Sequence, residues 1–341
     1  MAITSNSIDI LGVAVEPIIE EILFQNNTLN KGLVTFEDDV KAETIFTEAS
    51  ATATMQQYTS GAPTSSGDLS TWDNKVTPEK VMFYNEFDPN TLRFSRYKRS
   101  MQPGAWNVFS TEFERVVIGG IYANKISLSA ERNFWIGATS ATKTAIAGLT
   151  AGAPNNQVST EEQALVASSA IGGDAQFDGL LTKVIYNNSR PSGTAGVGER
   201  IKVVGTTISA TNIKAEYGKV YTAIPAEVLE GIEKPIIYAP YSHRQYIAEY
   251  NNQVTNYKDA FLVDGDTYSY NGVKIEFVPI PENVLLCALK SHLFWVTDLQ
   301  SDINMMKMDR IQNNREDMFL KNIMTIGAHV ANQKFNVLYV G

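Results

Sequence analysis

The sequence predicts an α+β chain made of an N-terminal arm, an extended β-hairpin, a long helix in a discontinuous domain, and a mixed α/β domain inserted into that domain. Three observations predict it. Between Phe36 and Ile136 a strand-like stretch leads into a nearly uncharged tip, a second strand-like stretch returns, and an apolar-striped segment follows. That last segment is long enough for a helix of about 50 Å. From about residue 159 to 298, helix and strand signals alternate, as in a mixed α/β unit. The final 40 residues return to strand chemistry, and strands this late need partners elsewhere. A compact enzyme has little use for a long exposed hairpin beside one oversized helix, whereas a subunit that locks onto its neighbours does.

The chain has 341 residues, 44% hydrophobic and 10% aromatic, enough to bury a core in about two domains. With 37 acidic against 28 basic residues the formal charge is −9. No field over the whole surface therefore draws in DNA or an acidic membrane, and any such contact is local. Cys287 is the single cysteine and lies in the apolar run Val284 to Leu289. It reads as a buried inert thiol, without a disulfide framework or a thiolate metal site. No cation precedes Lys31 and no uninterrupted apolar run opens the chain, which argues against a secretory signal. The longest apolar runs fall short of the roughly 20 residues that span a bilayer. The expectation is a soluble protein folding in a reducing cytoplasm.

Residues 1–35 read as an arm with a short helix starting at Pro17, its apolar side formed by Ile18, Ile19, Ile22 and Leu23. Glu16, Glu20 and Glu21 lie at the end where the helix dipole favours anions. Residues 36–48 place Phe36, Val40, Ile45 and Phe46 among charges, which suits a solvated strand. From Ala49 to Thr71, ten of 23 residues are Ser or Thr and only Asp68 is charged, which predicts a flexible tip. Val76 to Phe87 is the expected return strand, with Val81, Phe83 and Phe87 alternating against Lys80, Met82 and Glu86. The long helix follows Pro103 and Gly104, with Trp106, Phe109, Phe113, Val116, Val117, Ile121 and Leu128 on one face. Gly119 and Gly120 weaken it by about 1 kcal/mol each relative to Ala, so something must pack closely there.

Residues 137–158 are small, polar and linker-like, and a domain boundary is expected there. Ser159 and Glu162 have capping-box spacing for a helix through Ala170. Then come Phe177 to Ile185, an Asn/Ser/Gly/Pro-rich excursion from Asn187 to Gly198, and Ile201 to Ile208. A short helix spans Pro225 to Glu230, with Gly231 just past its end. A buried strand from Ile236 to Ala239, a helix from Pro240 to about Tyr250, and strands Val273 to Val278 and Val284 to Leu289 complete the region. Alternation in Met318, Leu320, Ile323, Thr325 and again in Phe335, Val337, Tyr339 predicts closing strands that pair beside the long helix.

Chemistry is sparse. The segment GTAGVG from Gly193 to Gly198 matches the start of a phosphate-binding loop, but Glu199 and Arg200 stand where Lys and Ser or Thr are required, so it reads as a mobile glycine loop. His243, His292 and His329 lie 49 and 37 residues apart, outside any metal-ligand spacing, and read as structural. No catalytic residue, metal site or cofactor is predicted. The one polar cluster that stands out is Arg93, Arg96, Lys98 and Arg99, interleaved with Phe94 and Tyr97. It fits ion pairs to Glu37, Asp38 and Asp39 of a neighbouring subunit, phosphate contacts with stacking on nucleic acid, or a solvated face. The acidic whole favours the first. Those seven charged residues, with Tyr58 and Trp72, are the candidate intersubunit contacts.

The order of arm, hairpin, long helix, inserted domain and closing strands resembles the major capsid proteins of tailed bacteriophages, the Hong-Kong-97-type fold. The hairpin 36–88 looks like that family's extended loop and Gly104 to Ile136 like its spine helix. PIIYAPYSHRQYIAEY and YNGVKIEFVPIPENVLLCAL are similar to the strand, helix and strand pair of its axial domain, and the final strands to those of its peripheral domain. The resemblance covers nearly the whole chain and rests on organisation rather than on an invariant motif. It implies an arm at 1–35, an extended loop and return at 36–100, a peripheral domain at 101–158 and 299–341, and an axial domain at 159–298. It also implies hexamers and pentamers of an icosahedral shell around double-stranded DNA held by weak non-specific contact. The partners implied are separate scaffolding and portal proteins and decoration proteins, with no membrane. The location is the virion capsid, assembled in the host cytoplasm.

Two departures stand out. The first 35 residues hold only a short helix, where some relatives carry a long cleaved scaffolding segment, so scaffolding is expected to be a separate protein or the chain already mature. Some relatives crosslink a loop lysine to an asparagine, but no catalytic acid can be matched to Lys75 or Lys80 here. The competing readings are another phage structural or adhesion protein, such as a tail component suggested by the Ser/Thr-rich strands, and an enzyme with an unrecognised site.

Overall fold

A computed structural model of the protein describes residues 27–41, 43–62, 64–88, 122–149, 158–173, 176–186, 200–253, 260–298, 305–311 and 317–341. Near-continuous apolar runs build the larger of its two main sheets. Strands β5 (Ile201–Val204), β6 (Ile236–Pro240), β7 (Phe261–Asp264), β8 (Thr267–Tyr270), β9 (Val273–Val278), β10 (Val284–Ala288) and β14 (Val337–Val340) form it in the order β5-β14-β10-β6-β9-β8-β7. Pleating sends successive side chains to opposite faces. In β10 this directs Leu285 and Cys287 into one core and Val284, Leu286 and Ala288 into another, and β6 and β14 divide in the same way. Helices α6 (Ile213–Ala223) and α8 (Ser242–Gln253) cover the first face; their residues Tyr217 and Ile247 are fully buried.

The second sheet is organised by one long strand, β13 (Met318–Val330). Its first nine residues pair antiparallel with β4 (Glu79–Phe87), and Met318 to Ile323 also pair with β12 (Met305–Arg310). Gly327 to Val330 pair with β11 (Leu293–Val296), which carries the short parallel strand β1 (Thr35–Glu37). Helix α2 (Ala123–Ile136) packs its Ile126, Phe134 and Trp135 into the core beneath this sheet. Phe134 stacks on Trp295 of β11 at 4.3 Å between centroids. The same core continues onto the second face of the seven-stranded sheet through Tyr238, Leu286 and Leu338.

Local signals produce the remaining helices. Ser159 caps α4 (Thr160–Ala167) through the predicted capping box, although the helix stops at Ala167 rather than Ala170. Glu162 also receives the buried guanidinium of Arg200, whose Nε donates to it at 2.7 Å, so one carboxylate ties α4 to the start of β5. Helix α5 is Leu180–Ile185, and α7 (Ala226–Glu230) starts after Pro225 and ends at Gly231 as expected. Helix α1 (Asn27–Asn30) is held by the buried Glu131, which accepts from Thr28 N at 2.9 Å and from Thr28 Oγ1 at 2.6 Å.

The structure departs from the sequence expectations in several places. The segment 137–158 contains a helix, α3 (Ser140–Ala147), because Thr139 caps it and Asp178 fixes Thr139 and Thr142 from across the chain. Strand chemistry from Ile201 extends only to Val204, and helix α6 lacks an advance signal because Gly218 and mixed charges blur its stripe. Leu128 is 54% exposed, so the buried stripe of α2 runs instead through Ile126, Glu131, Phe134 and Trp135. The other residues assigned to that helix face, like the arm helix at 17–23 and the loop at 187–198, lie outside the described residues. Of the closing strands, β13 pairs near α2 as expected, but β14 crosses to the larger sheet. There Tyr339 donates to Glu216 at 2.7 Å, and the alternation Val337, Tyr339 fills the core under α6.

The hairpin pairs differently from the sequence reading. Strand β2 (Thr44–Ala53) pairs with β3 (Gly67–Val76) in register from Thr44↔Val76 to Ala53↔Gly67, inside the segment expected to be a tip. The expected return strand is β4, which leaves the ribbon at Pro78 and joins β13. Proline lacks the N–H that would continue a ladder. Gly327 gives Pro78 room, since a Cβ there would lie 3.2 Å from Pro78 Cα. Threonine is a good strand former and serine and threonine hydroxyls bridge strands, so low charge marked a ladder rather than a coil.

Candidate assembly surface

The two-stranded ribbon has a root clamped on the body and an outer half on which every described side chain is exposed. On its inward face Phe46, Glu48, Asn74 and Val76 pack on the body, while Ile45, Thr47, Asp73 and Lys75 point outward. Phe46 stacks on His329 at 4.5 Å and lies 5.5 Å from Phe294. Val76 joins Val40 and Val296 in a small cluster of its own. The carboxylate of Glu48, only 4% exposed, accepts from Asn74 Nδ2 at 3.0 Å and from the backbone N–H of Asn332 at 3.1 Å. Lys75 meets Glu43 at 2.7 Å, and that hydrogen bond holds its ammonium above the ordinary lysine range.

Outward from Ala49 no side chain described in the ribbon is buried. The five residue pairs from Ala49↔Thr71 to Ala53↔Gly67 add about 17 Å of ladder. Residues 54–66 continue it with side-chain bonds, Thr54 Oγ1 to Ser66 O at 3.1 Å and Gln56 Nε2 to Thr64 O at 2.7 Å. Along this outer half Met55, Tyr58 and Leu69 are 104%, 90% and 68% exposed. Large apolar side chains held out on a projecting ribbon are what a covering partner would bury.

The candidate contacts fall in two places. Glu37 ends β1, and with Asp38 and Asp39 it lies exposed on the connection leading to the ribbon. Asp39 takes up the left-handed region at φ 62° and faces Lys41 of its own chain at 3.8 Å, an exposed pair of little energetic weight. Tyr58 lies at the far end of the ribbon, and Trp72 is on β3 opposite Glu48 in register. Arg93, Arg96, Lys98 and Arg99 lie outside the described residues. Sequence reasoning missed Glu48, Asn74 and Asn332; the available signal was a carboxylate two residues after Phe46, on the same strand face.

Each histidine is engaged in packing. A carbonyl can only accept, so His243 donates from Nε2 to Glu282 O at 2.8 Å and accepts at Nδ1 from the Tyr217 hydroxyl at 3.0 Å. Burial lowers its pKa to about 4 and fixes the neutral ring. His292 is also pushed down by burial and stacks beside Phe335. Burial pushes the Cys287 thiol up to about 12. Among the described residues no group of His, Cys, Asp and Glu could hold a metal ion, and no helix is long and apolar enough to cross a membrane. An open groove of about 510 Å³ between β4 and α2 is lined chiefly by apolar side chains such as Val81, Phe83, Phe177 and Met324.

No family model matches the sequence, and no curated protein matches it. Solved structures do match the fold. The chain is similar to one in the satellite phage P4 procapsid that includes the size determination (Sid) protein, at 12% identity, covering 95% of this chain and 98% of that one, with a TM-score of 0.51. It is similar to the capsid of the empty GTA particle at 9% identity, covering 92% and 90% of the two chains, with a TM-score of 0.55. A chain of Mycobacterium phage Ogopogo matches at 10% identity over 90% of each, with a TM-score of 0.50. At these identities the likeness is one of fold: the chain has the fold seen in the chains of the P4 procapsid and of the GTA capsid.

Proposed function

We propose that the chain is the major capsid protein of a tailed bacteriophage, of the Hong-Kong-97 type, and that it assembles into the hexamers and pentamers of an icosahedral shell enclosing double-stranded DNA. The observation that carries the reading is the ribbon 44–76, clamped at its root and with every side chain described from Ala49 to Thr71 exposed. A subunit on its own gains nothing by holding Met55, Tyr58 and Leu69 in water, whereas a neighbour that covers them stabilises the contact by burying apolar area. The capsid-like neighbours support the same reading, and one of them is a capsid computed with C5 symmetry.

In this reading the seven-stranded sheet is the core of the axial domain within 159–298, joined by β14 from the closing segment 299–341. Segment 101–158 and the rest of the closing segment form the peripheral domain, 36–100 is the extended loop and return, and 1–35 is the arm. The acidic connection Glu37, Asp38, Asp39 meets Arg93, Arg96, Lys98 and Arg99 of a neighbour, while Tyr58 and Trp72 take part in the ribbon's contact. Scaffolding, portal and decoration proteins are separate chains, assembly takes place in the host cytoplasm, and the packaged DNA is touched only by weak local contacts. Negative-stain electron microscopy of the purified chain tests this: rings of five and six or closed shells are expected. Strictly monomeric particles at high concentration, or fibres and tubes, would overturn it.

A further inference from the structure

Three anchors fix the ribbon's direction relative to the body: Val76 at the root, packed with Val40 and Val296, one aromatic and one polar. The aromatic anchor is Phe46, stacked on His329 of β13 and tilted against Phe294 of β11. The polar anchor is Glu48, two residues further out on the same face of β2, bonded to its sister strand through Asn74 Nδ2 and to the body through the Asn332 N–H. Asn332 sits just after β13 in the left-handed region at φ 43°. Phe46 on β2 and Val76 on β3 lie across the root from each other, so a ribbon held only there could still lift about the line joining them, and the outer point at Glu48 fixes the angle. Beyond Glu48 the ladder runs on to Ala53↔Gly67, and every described side chain along it is exposed.

The chemistry of the outer anchor is that of a reversible bond. A buried carboxylate loses its hydration, and its hydrogen bonds, those from Asn74 and Asn332 among them, offset that loss. When the ribbon lifts, water returns to the carboxylate and recovers much of the cost. An apolar anchor would lose packing on opening and gain nothing back. We propose that Glu48 is a releasable latch: it holds the ribbon at one angle in the free subunit and lets it swing to a second angle when a neighbour engages the outer half. Glu48 is thus a positioning residue for assembly, and the proposal rests on the ribbon being the element that reaches a neighbour.

Electron spin resonance distances in the full-length, dispersed subunit test it, with spin labels on Ser60→Cys at the ribbon end and Glu227→Cys on the body. Cys287, buried and with a thiol held protonated, stays unlabelled. The wild-type chain should give a single narrow distance. Glu48→Ala should add a second, displaced population while the melting temperature of the body holds, and Asn74→Ala should do so less strongly. Glu161→Ala, exposed on α4 and off the ribbon, should change nothing. A Glu48→Ala distribution identical to wild type, or a wild-type distribution that is already broad, overturns the proposal. If Glu48→Ala fails to fold, an Asn74→Ala distribution identical to wild type overturns it in the same way. The distance is read before assembly, so a latch that fails leaves the shell reading standing, and a chain that never forms shells can still show the latch.

Discussion

The seven-stranded sheet and the two-stranded ribbon use the same backbone ladder and differ in what covers them. In β10 every residue is buried, with cores on both faces. In the ribbon Val76, Asn74 and Glu48 are buried on the inward face, and every side chain described from Ala49 to Thr71 is exposed. Two-stranded ribbons are marginal in water by themselves. The sheet therefore carries the stability of the subunit, and the ribbon carries surface whose burial depends on something else.

The largest test of that contrast compares one leucine from each region. Leu286→Ala, in the buried centre of the sheet, should cost about 2–5 kcal/mol in chemical denaturation. Leu69→Ala on the ribbon should stay within about 0.5 kcal/mol of wild type. Equal losses would show that the ribbon packs on its own body. A second test uses pH. His243 has a folded pKa of about 4 against an ordinary 6.5, so between those values the unfolded chain binds the proton that the folded chain refuses. Stability contributed by the neutral ring is present above pH 6.5 and is lost as pH falls toward 4, by about 3 kcal/mol in all. Melting curves from pH 7 to pH 4 should show this slope, and His243→Gln should flatten it. A variant with the wild-type slope would remove His243 from the account.

The sheet was largely legible in the sequence, because its signals are local. Val273 to Val278 is a strand as read, Pro225 and Gly231 bound a helix, and the Ser159–Glu162 capping box is present. What escaped depended on distant partners. The alternation at Val337 and Tyr339 identifies a strand but not the sheet it joins, and that choice is made by Glu216 and the core beneath α6. The ribbon was legible as a projection but not as a ladder, since the Ser/Thr run from Ala49 to Thr71 pairs with itself. The latch was invisible for a similar reason: Glu48 reads as one more solvated acid until Asn332, 284 residues away, turns its N–H toward it.

The most direct measurement of the central claim replaces residues 54–66 by Asn-Gly, a two-residue turn that closes the Ala53↔Gly67 pair. Sedimentation and electron microscopy then compare it with the wild-type chain. The prediction is a variant with an unchanged melting temperature that sediments as dispersed subunits under conditions where wild type forms rings or shells. Shells of normal yield and size from the shortened chain would contradict the claim that the outer ribbon is the surface by which one subunit holds the next.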